Sequence, residues 1–318
     1  EECAICFDAV AETTVLPCSC RIAYCGRCWD HALARSFQAC GQARCPSCRT
    51  PVRVDFDAEA AEGRGRLVFG REAQDHTYSH QFEAAQSTSL EADPLQFMLA
   101  QQRAKEVAEA RSQVVQRLAE QALPVQVRLL DRYGAAQPLL RAIVQDPHQA
   151  LGKRPVAELK KRLQALGGSA AGCAEKADLI SQLLSSAGGK LALAARWGAC
   201  LAEAGEAPSP ECVCGGALAR VDGRSRTQRF LKTLRPNLSE DSAPFQEMLE
   251  EMTAHGNCVI ICDLCENDAI SLDSGVWTCG RGDETILHAT AYDVCEDCFL
   301  RHALAVPGDA PQPAAEDA

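Results

Sequence analysis

The longest regular hydrophobic pattern lies in the first half of the chain, where apolar residues recur every three or four positions over residues 97–122. Asp93 and Pro94 precede this pattern. They suit a helix start, because Asp caps free N–H groups and Pro fits the first helical position. The spacing therefore predicts an amphipathic helix of roughly 28 residues that ends before Pro124. Residues 125–146 predict two short helices.

A second set of helical patterns follows at residues 153–187. Pro155 opens the first of these helices, and Gly167 and Gly168 end it. After a short loop, a second helix places four apolar residues on its inner face: Leu179, Ile180, Leu183 and Leu184. A further Ala- and Leu-rich helix with a linker is predicted over residues 188–211.

Two stretches lack a sustained hydrophobic period. Residues 55–92 mix charge, Gly and Ser and are interpreted as a linker, in which His76 and His80 are solvated because no cysteine lies near them. Residues 306–318 are rich in Pro, Ala and acidic residues, and we expect them to be a disordered tail. Together these boundaries leave residues 93–152 as a helical region.

Composition narrows the class of protein. Apolar residues are 47% of the chain but aromatic residues only 5%, which favours thin helical layers and metal-held modules over one large core. A net charge of −11 argues against a chain that coats nucleic acid along its whole length. No apolar run is long enough for a membrane span. The N-terminus lacks Met and any signal peptide, so we interpret it as trimmed and expect a reducing compartment, the cytoplasm or the nucleus.

The cysteines give the strongest chemical signal. The chain has 19 of them, and their tight C-x2-C spacing is typical of metal ligands rather than disulfides. One tight turn in such a pair aims both sulfurs at one ion. The N-terminal region carries four close pairs: Cys3/Cys6, Cys18/Cys20, Cys25/Cys28 and Cys45/Cys48. These pairs predict two Zn²⁺ ions held by thiolates within residues 1–54.

The spacing of these pairs resembles that of the RING finger, a zinc module of ubiquitin ligases. The resemblance implies a cross-brace, in which the first and third pairs hold one ion and the second and fourth hold the other. It also assigns the groove for a ubiquitin-conjugating enzyme to Ile5 and Pro46, and a ubiquitin-clamping role to Arg49, whose planar donors suit two partners. This sequence departs from the family by placing Cys20 where most RINGs have His. The C-x-C pair and the 16-residue gap between Cys28 and Cys45 are closer to the RING-variant pattern.

The RING resemblance implies a ubiquitin ligase that acts as a scaffold. Its partners would be a charged conjugating enzyme, ubiquitin and a protein substrate, and the rate gain would come from restricted orientation. A catalytic thiol at Cys40 is the rival interpretation, but no histidine neighbours it in the sequence. Cys40 and His31 are not needed for the two predicted zinc sites, although each could substitute as a ligand. The alternative function is a non-enzymatic zinc-finger adaptor for protein or chromatin contacts.

The helical pair at residues 153–187 resembles the SAP helix–loop–helix module, which commonly binds DNA or chromatin. Seven Lys and Arg residues oppose three Asp and Glu between Lys153 and Lys190. The DNA-contact candidates on this interpretation are Lys160, Lys161 and Lys176. The alternative is a helical hairpin that packs on its neighbours.

A second cysteine-rich module is predicted over residues 212–305, with its core at 258–302. Its two C-x2-C pairs, Cys262/Cys265 and Cys295/Cys298, predict one four-thiolate zinc ion. A second ion would draw on Cys279, His288 and His302, together with either Cys258 or the Cys212/Cys214 pair.

The core of this module loosely resembles the ZZ zinc finger, which binds peptide tails. On that resemblance, Asp263, Glu266 and Asp268 offer carboxylates to a basic N-terminus. The whole chain is thus expected to be multi-domain and mainly α, with small zinc-stabilised α+β modules on either side of a helical middle.

Overall fold

A computed structural model describes residues 1–11, 13–60, 63–73, 94–282, 284–288 and 291–304. The chain divides into two compact units. The first comprises Glu1–Gln126, Val213–Gly216 and Arg281–Tyr292, and the second comprises Val127–Cys212, Ala217–Gly280 and Asp293–Ala318. His76, His80 and the predicted tail at 306–318 lie outside the described residues.

Helix α1 (Gly26–Cys40) forms the centre of the N-terminal module. Trp29, Leu33 and Phe37 recur at four-residue intervals and are almost completely buried, as an amphipathic helix requires. Gly41 ends the helix in the left-handed conformation (φ 72°), and its N–H donates to the Phe37 carbonyl. The helix therefore begins directly after Cys25 and carries Cys28 in its first turn.

A β-hairpin follows α1 and corrects the predicted linker over residues 55–71. Strands β1 (Val52–Asp57) and β2 (Arg66–Arg71) pair antiparallel, with Phe56 opposite Leu67. Alternate residues of β1 are buried, which is the pattern of a strand with one face on a core. The alternation of Val52, Val54 and Phe56 with charged residues is itself a strand signal, and the predicted linker boundary at residue 55 divides it.

Helix α2 (Pro94–Ala135) is longer than predicted, and Pro124 lies inside it. The expectation that the helix ends before Pro124 is therefore wrong. Proline removes one intrahelical hydrogen bond, but Leu118, Ala122 and Val125 around it are at most 2% exposed. Burial of this apolar face holds the helix together through the proline.

The second unit contains a layer of helices followed by a small sheet. Its helices before the sheet are α3 (Pro138–Gln145), α4 (Pro147–Gly152), α5 (Val156–Ala165), α6 (Lys176–Ala187) and α7 (Lys190–Glu203). Helices α5 and α6 coincide with the two helices predicted at 153–187. Arg162 of α5 is buried, 2.7 Å from a Glu206 carboxylate oxygen and over the ring of Trp197.

The sheet of the second unit has the order β3-β4-β5, all antiparallel. Its elements are β3 (Leu218–Asp222), α8 (Gly223–Leu234), α9 (Ala243–Thr253), β4 (Gly275–Cys279), β5 (Asp293–Cys295) and α10 (Glu296–Ala303). The rings of Trp277 and Phe299 stack 3.8 Å apart. Asp293 forms a two-bond ion pair with Arg226, and both side chains are at least nine-tenths buried.

Among the described residues, no helix combines the length and the apolar character that crossing a membrane requires.

Candidate metal centres

The first candidate centre, group A, consists of Cys3, Cys6, Cys25 and Cys28. All four sulfurs lie within 4.8 Å of one another, and the Cys6 and Cys25 sulfurs are 4.0 Å apart. Four thiolates around a zinc ion with Zn–S near 2.3 Å would be about 3.8 Å apart. The spacing of group A therefore fits a tetrahedral zinc site.

Two local structures build group A. After Cys6 the chain turns back, so that the Phe7 N–H donates to the Cys3 carbonyl at 2.9 Å while Phe7 adopts φ 63°. Cys25 is the N-cap of α1 and places Cys28 one turn further on. A tight turn thus supplies one pair of sulfurs, and a helix start supplies the other.

Group B consists of Cys18, Cys20, Cys45 and Cys48, again with all sulfurs within 4.8 Å. The Cys45/Cys48 pair repeats the turn of group A, because the Arg49 N–H donates to the Cys45 carbonyl at 2.9 Å and Arg49 adopts φ 60°. The two groups alternate along the chain, first and third pairs in A and second and fourth in B. This is the interleaving that the RING resemblance implies.

The protein environment favours thiolate, the ligand form, at one cysteine in each group. Backbone N–H groups, first that of Cys25, lower the pKa of Cys3 to about 6. The hydroxyl of Thr50 lowers the pKa of Cys48 to about 6. Burial instead raises the pKa of Cys28. Four close thiolates repel one another, so the donor set fits a cation at each centre.

Group C consists of Cys262, Cys265, Cys295 and Cys298, within the same 4.8 Å limit. Its turn has the Glu266 N–H donating to the Cys262 carbonyl at 2.9 Å, with φ 57° at Glu266. Cys295 is the N-cap of α10, and its sulfur accepts the Cys298 N–H. Hydrogen bonds from the Cys262 and Cys298 side chains lower the pKa of Cys295 to about 4.

The sequence left the Cys212/Cys214 pair and Cys258 open as alternatives for a second ion in the C-terminal module. Cys212 and Cys279 belong to the second unit, whereas Cys214 and His288 belong to the first. The Cys258 sulfur lies 3.5 Å from the Ser271 carbonyl, and neither Cys258 nor His302 belongs to group A, B or C. Groups A, B and C thus give the described residues cysteine-rich sites with the chemistry to bind zinc, as in proteins of the zinc-finger type.

The residues assigned to the conjugating-enzyme groove differ in exposure. Ile5 is 42% exposed, Pro46 is half-buried and Arg49 is exposed. Phe7 (74% exposed) and Ile22 (38% exposed) are further exposed apolar residues near the cysteine pairs. The sequence analysis did not single out these two, because exposure cannot be read from residue type.

Cys40 is not placed as a reactive thiol. It is 9% exposed and donates to the carbonyls of Ser36 at 3.1 Å and Gln42 at 3.3 Å. These contacts lie at the C-terminal end of α1, where they join the helix to the following loop. Cys40 therefore has a structural role in the fold.

The three lysines proposed for DNA contact differ in their partners. Lys161 lies 3.4 Å from the Glu206 carboxylate, and Lys176 donates to the Gly152 carbonyl at 2.6 Å. Lys160 is exposed and has no partner among the described residues. The ZZ-like carboxylates differ likewise, because an Asp263 oxygen accepts the Asp293 N–H at 2.6 Å, whereas Glu266 and Asp268 are exposed.

No protein-family model matches the chain, and comparison with curated proteins and with solved structures found no similar protein. The RING, SAP and ZZ resemblances therefore rest on the residues quoted for them.

Proposed function

We propose that the N-terminal module is a zinc-dependent, RING-like ubiquitin ligase that binds a ubiquitin-charged conjugating enzyme. The observation that carries this proposal is the interleaving of groups A and B, with exposed recognition residues attached to the ligand turns. Ile5 lies between two ligands of group A, and Arg49 directly follows the last ligand of group B. Zinc would hold both residues in place at the surface of a module with a small core.

The turn of group A supports an apolar docking surface. Ala4 is fixed by its N–H bond to the Ala23 carbonyl at 3.0 Å, so the neighbouring Ile5 is presented on a constrained backbone. Phe7 and Ile22 extend the exposed apolar surface. A constrained backbone loses little conformational entropy on binding, and this favours the apolar residues on it for recognition.

The position of Arg49 supports the clamping role. Its carbonyl accepts a hydrogen bond from Arg44 at 3.1 Å, and its N–H is held by Cys45. The backbone is therefore fixed at both polar groups, while the guanidinium remains exposed. A guanidinium can bond carbonyls of two partners at once, so it would restrict the flexible ubiquitin on its enzyme.

The test is single-turnover discharge of ubiquitin from a panel of charged conjugating enzymes to free lysine, using the full chain. We expect the full chain to accelerate the discharge of ubiquitin from at least one conjugating enzyme. Arg49→Ala should slow that discharge about thirtyfold, as loss of a strong interface arginine does. Arg35→Ala is the matched control, since Arg35 is an exposed arginine on α1. Zinc content should be unchanged in both variants.

No acceleration with any enzyme, or equal rates for Arg49→Ala and Arg35→Ala, would contradict the ligase proposal. A zinc-finger adaptor would then account for the same cysteine groups. The structure gives less support to DNA contact through residues 153–187, because two of the three candidate lysines there have partners within the protein.

A further inference from the structure

A cavity of about 680 Å³ lies beside the β-hairpin of the first unit. Residues Arg66, Leu67, Val68 and Phe69 of β2 form part of its wall. Further lining comes from Thr13, Thr14 and Val15, from the start of α1, and from the segment around Leu287. Its volume is that of a binding site for a small molecule or a few peptide residues.

The two edges of the hairpin differ. At β1, the Phe56 N–H donates to the Gln121 side chain at 2.8 Å, and the Val54 carbonyl accepts from Arg117 at 2.9 Å. Both groups therefore point away from β2, and α2 covers this edge.

The direction of the backbone groups on the outer edge of β2 follows from the register of the two strands. Leu67 and Phe69 stand opposite Phe56 and Val54. In an antiparallel pair, residues directly opposite each other point their backbone groups the same way relative to the ladder. The N–H and C=O of Leu67 and Phe69 thus point outward from β2. Within the described part of the chain, β2 has β1 as its only partner strand.

The charges of the cavity wall favour an anion. Arg27, Arg66 and Arg281 line it, against Asp30 alone among acidic residues. The Asp30 carboxylate is buried and accepts the Ile286 N–H at 2.8 Å. Arg27 is 78% exposed and 3.7 Å from Glu284, a pair that contributes little in solvent.

We propose that this cavity binds an acidic peptide in extended conformation, which adds to β2 as a third strand. The outward backbone groups of Leu67 and Phe69 would supply the ladder hydrogen bonds. Arg27 and Arg66 would bond carboxylates that recur on one side of the peptide, at every second residue. Arg281, which donates to the Cys214 carbonyl at 2.7 Å, would add positive charge to the wall. Strand addition gives affinity through the backbone, and the arginines select acidic over neutral sequences.

The first test is a fluorescence-polarisation titration of the full chain. The probe is a short, end-blocked, labelled peptide in which Glu alternates with Val, and the matched probe has Gln in place of Glu. We expect the Glu probe to bind about tenfold or more tightly, because hydrogen bonds to charged groups are the stronger ones. Added salt should weaken the Glu probe more than the Gln probe.

Two variants locate the site. Arg27→Glu combined with Arg66→Glu should weaken the Glu probe about tenfold or more and leave the Gln probe nearly unchanged. Arg35→Glu makes a charge change on the same module outside the cavity wall and should have little effect. Unchanged zinc content shows that each variant is folded.

Amide hydrogen exchange tests the strand geometry. Bound peptide should slow exchange at Leu67 and Phe69, whose N–H groups point outward, and should change Val68 and Gly70 little because those face β1. Equal affinity for the two probes, equal loss in Arg35→Glu, or protection that excludes Leu67 and Phe69 would overturn the proposal. None of these measurements involves ubiquitin, so they are decided separately from the ligase assay.

Discussion

Groups A and C share one plan, although they lie at opposite ends of the chain. Each joins a turn pair, closed by an N–H bond to the first cysteine's carbonyl, to a pair that begins a helix. The two groups differ in their surroundings. Group A is interleaved with group B, whereas Phe299, the residue that follows Cys298 of group C, stacks on the buried ring of Trp277. The same metal chemistry can thus be the main support of one module and an addition to a packed core in the other.

The two modules also treat a buried carboxylate differently. In the C-terminal module, Asp293 is neutralised by two hydrogen bonds from Arg226. In the N-terminal module, Asp30 accepts the backbone N–H of Ile286, and burial raises its pKa. Each contrast gives a matched experiment.

The largest expected difference is in metal content. Cys28→Ser and Cys298→Ser remove the corresponding helix ligand from groups A and C. Structural zinc contributes on the order of 10 kcal/mol to folding, and interleaving makes groups A and B depend on the same chain segment. We therefore expect Cys28→Ser to lose two zinc ions per chain and Cys298→Ser one, measured by metal analysis of purified protein.

Cys173→Ser is the control for this comparison, because Cys173 belongs to none of groups A, B and C. It should retain the zinc content of the unaltered chain. Loss of a single ion in both cysteine-ligand variants would show that the two N-terminal groups are independent of each other.

The next largest effect concerns the buried pair of the C-terminal module. Arg226→Ala leaves the Asp293 charge buried without its partner, so we expect the free energy of unfolding to fall by about 3–5 kcal/mol. Chemical denaturation followed by circular dichroism measures this. Arg224→Ala, at an exposed position of the same helix, should change it by no more than about 0.5 kcal/mol. Similar losses in the two variants would contradict the role given to the pair.

The smallest effect concerns Asp30. Its folded-state pKa is raised, so its contribution to stability is present below the unfolded pKa of about 3.9 and is lost as pH rises through the folded value. Asp30→Asn keeps an oxygen acceptor for Ile286 and removes the charge. The variant should gain stability relative to the unaltered chain as pH rises from about 4 to neutrality, measured by denaturation at each pH. A pH-independent difference would refute this account.

The sequence was most informative where the chemistry is local. A C-x2-C pair places both of its sulfurs on one side through a tight turn or the first turn of a helix, and the sequence predicts every close pair of groups A, B and C. Which pairs share a site depends on contacts across the chain, and for groups A and B the RING resemblance supplied the answer. The position of Cys258 has no local signal in the sequence, because its burial depends on packing against Gly223 and Ser271.

The prediction of secondary structure failed where tertiary packing overrides the intrinsic propensity of a residue. Pro124 is a helix breaker in isolation, but the buried face formed by Leu118 and Val125 carries the helix past it. Strand β1 does carry a local signal, because its apolar and charged residues alternate. The full length of α2 could not be read from its own segment alone.

The interleaving of groups A and B also bears on how the protein is made. Group A has all of its ligands once Cys28 has left the ribosome, and group B once Cys48 has followed, whereas group C waits for Cys298. Because chain segments can fold as they emerge, groups A and B can take up metal before Cys298 is synthesised. The Cys262/Cys265 pair remains without its partner pair until Cys298 has emerged.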